Sequence, residues 1–317
     1  MNFNLGFYAT TRNKSSKANI LKIYDEIKDE YMKINRFMIA APKSGSGKTM
    51  ITCALLQLLK DSGKNVLSYK CGPDYIDPMF HKKVLGVPSK NLDTFFTDEK
   101  TTVQLFLDEK ADGDFAVLEG VMGLYDGLGG IYEQGSSYHL AKVTQTPIIL
   151  VVDAKGMGKS VLALIAGFLQ YDTHHLIKGV LLNRMSKGYY DIIKPLIEKE
   201  LSVKVVGYFP KQKDIGLSSR HLGLVMPDEL SDIKKQLNET ADRLKKTIDM
   251  DLFMDIAAEA DEIGDSGSAD KDKRQTLKNA ELMRPQDQNN TVNIAVAMDE
   301  AFCFYYEDNL RMLEKCG

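Results

Sequence analysis

Ala41-Pro-Lys-Ser-Gly-Ser-Gly-Lys-Thr49 is the stretch on which the fold of this chain turns. It follows a short apolar run, Phe37-Met-Ile-Ala40, and opens a helical pattern from Met50 to Lys60, so it lies where a strand gives way to a helix. In that setting glycines let successive backbone N–H groups converge on an anion, and the helix N-terminus adds its partial positive charge. The ligand suited to this geometry is a nucleoside triphosphate. Lys48 would reach the β- and γ-phosphates, and the Thr49 hydroxyl would meet Mg²⁺. Gly45, Ser46 and Gly47 would form the phosphate cradle between them. The match departs from the usual pattern at its first position, where Pro42 stands in place of glycine.

Working outward, apolar runs recur at Phe37–Ala41, Val66–Tyr69, Phe115–Leu118, Ile148–Val152, Gly179–Leu182 and Val203–Phe209. Helical patterns at 50–60, 161–170 and 190–201 lie between several of them, and 135–142 reads as an N-capped helix with Ser136 or Ser137 as its cap. Continuous apolar strands separated by helices predict an α/β fold, a doubly wound and mostly parallel sheet of the phosphate-loop NTPase type. Such sheets hold their chemistry beyond the carboxyl ends of the strands. The second strand leads into Gly72-Pro-Asp-Tyr-Ile-Asp-Pro78, whose Asp74 and Asp77 are either turn residues or oxygen ligands for Mg²⁺. The third leads into Glu119-Gly-Val-Met-Gly-Leu-Tyr-Asp-Gly127, where Glu119 occupies the place of a metal-side carboxylate and Asp126 stands among glycines. Asn183 closes a later strand, as a turn residue or as a reader of the base edge. Arg220 and His221 form a basic pair in a further loop.

The chain has 317 residues and a formal net charge of −3, which disfavours a nucleic-acid partner held by bulk electrostatics. No apolar run is long enough for a membrane span and residues 1–33 lack a signal peptide's apolar core, so a cytoplasmic protein is expected. The cysteines, at 53, 71, 303 and 316, lack C-x-x-C spacing and read as reduced thiols. Four segments are expected: an N-terminal extension of unassigned role (1–31), an ATP-binding synthetase domain (32–258), a polar linker (259–290) and the start of a further domain (291–317). Within the last, Val292–Met298 reads as a strand continuing into Phe302–Tyr306, with Cys303 in its core.

Together Lys-Ser-Gly-Ser-Gly-Lys-Thr, Gly-Pro-Asp-Tyr-Ile-Asp-Pro, Glu-Gly-Val-Met-Gly-Leu-Tyr-Asp-Gly, Arg-His-Leu-Gly-Leu and Ala-Phe-Cys-Phe-Tyr-Tyr resemble the cobyrinate a,c-diamide synthases, glutamine-dependent amidotransferases of cobalamin biosynthesis. The likeness runs from about Met32 to the end of the chain. More distantly the chain looks like dethiobiotin synthetase and the partitioning ATPases, which share a phosphate loop with an extra early lysine, here Lys43. The resemblance implies ATP- and Mg²⁺-dependent amidation of the a- and c-acetate carboxylates of a corrinoid through acyl phosphates, with ammonia normally drawn from glutamine. It implies nucleotide contacts for Lys43, Gly45, Ser46, Gly47, Lys48, Thr49 and Asn183. Thr49, Asp74 and Glu119 form the implied metal set, and Lys48, Asp77 and Asp126 the catalytic set. It also implies that residues 291–317 are the first strand of a truncated glutaminase domain. Two alternatives stay open. One is a,c-diamidation of another tetrapyrrole, such as nickel sirohydrochlorin. The other is a partitioning-type switch ATPase, in which Lys43 reaches across a homodimer.

Overall fold

The computed structural model describes residues 31–108, 115–211, 230–264, 293–299 and 302–316. The residues N-terminal to Tyr31, the polar stretch 265–290 and the Arg220–His221 pair lie outside that set.

Seven parallel strands form one sheet. In chain order they are β2 (Asn35–Ala40), β3 (Val66–Cys71), β4 (Ser89–Leu92), β5 (Phe115–Glu119), β6 (Ile148–Asp153), β7 (Ile177–Asn183) and β8 (Lys204–Phe209), and their spatial order is β4-β3-β5-β2-β6-β7-β8. All six of the apolar runs appear as strands. The seventh, β4, has the sequence Ser-Lys-Asn-Leu and no apolar run to announce it. It is held instead by its register with β3, from Ser68↔Ser89 to Cys71↔Leu92.

The sheet is buried on both faces because alternate residues of each strand feed different cores. Met38 and Ala40 join Tyr69, Leu118, Leu150 and Leu182 on one side. Phe37 and Ile39 join Val117, Ile149, Val151 and Leu181 on the other. Helices α1 (Lys48–Asp61), α7 (Leu230–Lys245) and α8 (Met250–Ala258) cover the second face. The first is covered by α3 (Glu99–Asp108), α4 (Ser137–Val143), α5 (Ser160–Tyr171) and α6 (Lys187–Leu201). From central β2 the chain moves outward to β3 and β4, returns through β5, and then crosses to β6. The direction of winding therefore reverses around β2, and the phosphate loop leaves its carboxyl end at this switch point.

At the opposite end of β2 the Arg36 side chain is wholly buried. Its Nε donates to Thr144 O (3.1 Å) and Thr146 Oγ1 (3.3 Å), Nη1 to Ile34 O (2.9 Å), and Nη2 to Gln145 O (3.1 Å) and Asp261 O (2.7 Å). Burial lowers its pKa to about 10 against the pull of Asp261, which still leaves it charged at neutral pH. A two-stranded antiparallel pair, β1 (Tyr31–Met32) with β9 (Ile263–Gly264), closes over this end. Ala260 and Ile263 are buried, so residues 259–264, expected to open a linker, pack with the domain instead.

Residues 293–298, the described part of the expected strand 292–298, pair with no strand among the described residues and are exposed, including Ile294 and Val296. Alternating apolar residues make a ladder only where a sheet edge accepts them. Cys303 is likewise partly exposed, outside any strand, and not a core residue. Beyond it, Tyr306 stacks on Tyr75 with ring centroids 4.7 Å apart, and helix α9 (Glu307–Cys316) places Asp308 3.3 Å from Lys90.

Arg36→Ala should lower stability by about 3–5 kcal/mol in urea unfolding, because the carbonyls of Thr144, Gln145 and Asp261 lose a buried charged donor. A midpoint unchanged from wild type would show that water replaces the guanidinium at no cost.

The buried thiols carry a second expectation. Burial raises Cys71 to about 12 and Cys53 well above its ordinary value of 9.0. Between these limits the unfolded chain releases protons that the folded chain keeps, so stability should fall as pH rises through 9 toward 12. Urea midpoints measured across that window should decline, and Cys71→Ala should flatten the decline. An identical slope in the variant would assign the effect to other groups.

Candidate active site

The loops after β2, β3, β5 and β7 converge at the carboxyl end of the sheet. Between them lies an open cleft of about 420 Å³ lined by residues that include Lys48, Thr49, Lys70, Asp74, Asp77 and Met122.

The phosphate loop is braced before any ligand arrives. Ser46 is buried and its Oγ donates to Lys43 O (2.9 Å), tightening the turn while the Lys43 side chain points to solvent. Gly47 has φ +93°, and a Cβ there would stand 2.3 Å from Asn183 Nδ2. That close approach lets the Asn183 amide donate to Ser46 O (2.7 Å), while its Oδ1 accepts Arg184 N (2.9 Å). Asn183 thus ties the end of β7 to the phosphate loop. Arg184, itself at φ +59°, is held by a two-point ion pair with Asp153 at the end of β6, with Nε 2.7 Å from Oδ1.

Helix α1 has no side-chain cap and begins at Lys48 and Thr49, which both turn inward. Lys48 is buried, and its Nζ donates to Met122 O at 2.5 Å. Burial first, and the neighbouring Lys70 charge second, lower its pKa. Met122 sits at φ +49° in the loop after β5. That loop is set by Asp126, whose Oδ2 accepts Gly123 N (2.9 Å), and by Ser137 on α4. Ser137 Oγ accepts Val121 N (2.8 Å) and donates to Val121 O (3.0 Å). Of the adjacent serines, Ser136 is the cap of α4, accepting His139 N at 3.0 Å, so Ser137 is free to pin this loop.

Lys70, the penultimate residue of β3, stands at the centre of the cleft. Its Nζ is 2.5 Å from Asp77 Oδ2, 2.9 Å from Glu119 Oε1 and 3.6 Å from Asp74 Oδ2. Burial opposes its charge, but the Glu119, Asp77 and Asp74 carboxylates outweigh burial and hold its pKa above the ordinary lysine value. Thr49 Oγ1 donates to Glu119 Oε1 (2.7 Å) and lies 3.5 Å from Asp77 Oδ2. Asp77 and Glu119 are therefore gathered on one ammonium group, and Thr49 joins them through the Glu119 oxygen. Asp74 touches that group from its rim, and its Oδ1 accepts Ile76 N (2.9 Å) at the start of α2 (Ile76–Phe80).

Lys70 escaped the sequence reading, although a lysine inside an otherwise apolar parallel strand signals a buried ion pair. His81 escaped it as well. It opens a π-helical turn, His81–Leu85, directly after α2 and is wholly buried.

The oxygens of Thr49, Asp77 and Glu119 suit a hard cation, and Glu119 Oε2 is buried without a hydrogen-bond partner. Among the described residues no three His, Cys, Asp or Glu side chains form a metal cage by themselves.

A family model described as the CobQ/CobB/MinD/ParA nucleotide binding domain matches residues 37–225. The chain belongs to this family. The match carries the phosphate loop, the cleft carboxylates and Asn183 together, so the domain is a nucleotide-binding one. Among curated relatives, the cobyrinate a,c-diamide synthase of Listeria innocua is 37% identical over 286 residues, covering 90% of this chain and 60% of the relative. That of Thermoplasma acidophilum is 39% identical over 287 residues, with the same two coverages. The chain thus spans about 60% of the length of the curated relatives it matches. Among solved structures, FtsY from Mycoplasma mycoides is 14% identical with a TM-score of 0.44, over 72% of this chain and 68% of that one, a likeness too distant to bear on the site. Among the described residues no helix is long and apolar enough to cross a membrane.

Asn183→Ala should weaken ATP and GTP binding in the same ratio, since it removes the brace on Ser46. A selective loss of ATP binding, read by competition against a fluorescent nucleotide, would make Asn183 a reader of the base instead.

Proposed function

We propose that this chain uses ATP to activate the a- and c-acetate carboxylates of cobyrinate for amidation. The observation that carries this reading is the match to cobyrinate a,c-diamide synthase, which at 286 of 317 residues is long enough to include the whole cleft.

The chemistry follows from the poor electrophilicity of a carboxylate. A carboxylate oxygen attacks the γ-phosphorus of ATP, the bond to the bridging oxygen breaks, and ADP leaves an acyl phosphate behind. Ammonia then adds to the acyl carbon, the carbon–oxygen bond to phosphate breaks, and the amide forms as nitrogen gives up a proton. Such transfer is chiefly positioning and charge neutralisation.

In this reading Lys48 exchanges the Met122 carbonyl for phosphate oxygens, and the N–H groups of the 43–49 loop receive the remaining charge. Thr49, Asp74 and Glu119, with Asp77 beside them, would hold Mg²⁺. When bound, that ion supplies neutralisation of charge on the transferring phosphoryl group. Lys70 keeps Asp77 and Glu119 together despite their like charge and sets a cation where an incoming carboxylate would lie. Asp77 and Asp126 position the substrate, the latter from a loop that it also shapes through Gly123 N.

The test is incubation with ATP, Mg²⁺ and ammonium, with cobyrinate and nickel sirohydrochlorin in parallel, followed by mass spectrometry for replacement of carboxyl OH by NH₂. Amidation of cobyrinate supports the proposal. Amidation of nickel sirohydrochlorin alone moves the substrate to another tetrapyrrole, and ATP turnover without either product rejects the proposal.

Lys48→Ala and Thr49→Ala should each abolish amidation-coupled ATP turnover. Asp126→Asn should retain nucleotide binding, because the amide oxygen can still accept from Gly123, yet lose diamide formation. Parallel loss of nucleotide affinity in a folded Asp126→Asn protein would place the residue on the nucleotide side.

A further inference from the structure

The cleft carries one buried polar side chain that the proposed chemistry does not use. His81 is wholly buried beneath it, with Nδ1 2.9 Å from Ser68 Oγ and 3.4 Å from Ser89 Oγ. Its Nε2 lies 3.8 Å from Glu119 Oε2. Among the described residues neither of these two atoms has a hydrogen-bond partner. The separation is too short for a water to stand in line between them, and closing it by about 1 Å would make an ordinary hydrogen bond. Two orphaned buried atoms aimed at each other point to one shared proton.

We propose that His81 is a positioning residue whose Nε2–H donates to Glu119 Oε2 and fixes the rotation of the carboxylate whose other oxygen meets Thr49 and Lys70. The carboxylate selects the tautomer: Glu119 Oε2 can only accept, so the ring N–H facing it is on Nε2, and Nδ1 accepts from the Ser68 hydroxyl at 2.9 Å. Thr49, on α1, and Lys70, on β3, hold Oε1 from one side. Without a donor on Oε2 the carboxylate is free to turn about its last torsion. A ligand-orienting hydrogen bond of this kind is worth about 10–100-fold in metal affinity at established sites.

The inference rests on the proposed role of Glu119 as a magnesium-side carboxylate, and its test does not require amidation. Binding of a fluorescent, non-hydrolysable ATP analogue to the full chain would be titrated with Mg²⁺ for wild type, His81→Gln and His81→Asn. The glutamine amide reaches the Nε2 position and keeps the donor to Glu119. The asparagine amide reaches only the Nδ1 position. The glutamine variant should behave as wild type, whereas the asparagine variant should need about tenfold or more Mg²⁺ for half-saturation at an unchanged melting temperature. Equal behaviour of the two variants, whether both normal or both impaired, would overturn the proposal, since it would show that the donor at Nε2 is irrelevant. If the His81 variants fold poorly, Ser68→Ala takes their place: it leaves the ring but removes the hydroxyl that holds Nδ1 and so loosens its orientation, and should raise the Mg²⁺ requirement. Wild-type behaviour of Ser68→Ala would then overturn the proposal. If the binding pattern holds while neither tetrapyrrole is amidated, the proposed function falls and this inference stands. Absence of any Mg²⁺-dependent nucleotide binding in wild type would overturn both.

Discussion

The buried ammonium of Lys70 is the interaction on which the cleft depends. Asp77 and Glu119 would repel one another at this distance from a common point, and Glu119 is fully buried. Two buried carboxylates this close call for a cation, and the protein supplies its own from β3, the strand that leads into Asp77 and pairs with β5. The arrangement need not add net stability, because desolvating three charges is costly. What it secures is geometry: the loop after β3 and the end of β5 cannot separate without uncovering an unpaired charge.

The phosphate loop is then joined to this centre by Thr49 and to the far half of the sheet by Asn183. Thr49 shares Glu119 Oε1 with Lys70, so the first turn of α1 is registered against β5. Asn183 connects Ser46 to β7, and Arg184 extends that connection to Asp153 on β6. The loop is therefore held from both sides of the switch point. A pre-arranged loop binds phosphate without first paying the entropy of ordering it. Lys48 waits on a carbonyl, a partner that a phosphate oxygen readily outcompetes because the new contact joins two charges.

Arg36 plays the corresponding part at the amino end of β2. It gathers the 144–146 turn and the chain after α8 onto the central strand through carbonyl oxygens and the Thr146 hydroxyl. Neither this residue nor Lys70 stands out by composition, since each is one charged residue in a strand. Both follow from the same constraint: a strand buried on both faces can hold a cation only where the fold collects oxygens around it.

By itself the sequence determined the strand–loop–helix unit at 37–60, five more parallel strands, and the loops that bear Asp74, Asp77, Glu119 and Asp126. These are local signals, set by apolar continuity, glycine and the strand-end rule for doubly wound sheets. It did not determine β4, whose Ser-Lys-Asn-Leu sequence is a strand only because β3 offers an edge, nor that residues 293–298 make no ladder with the described strands. Nor could it tell that Asp77 draws closer to Lys70 than Asp74 does, that Asn183 braces Ser46, or that His81 lies under Glu119. The last two join residues far apart in the chain, and the first depends on how the loop after β3 folds back on its strand. Their partners are chosen by how strands are ordered and helices cross them, and spacing along one chain carries no record of that order.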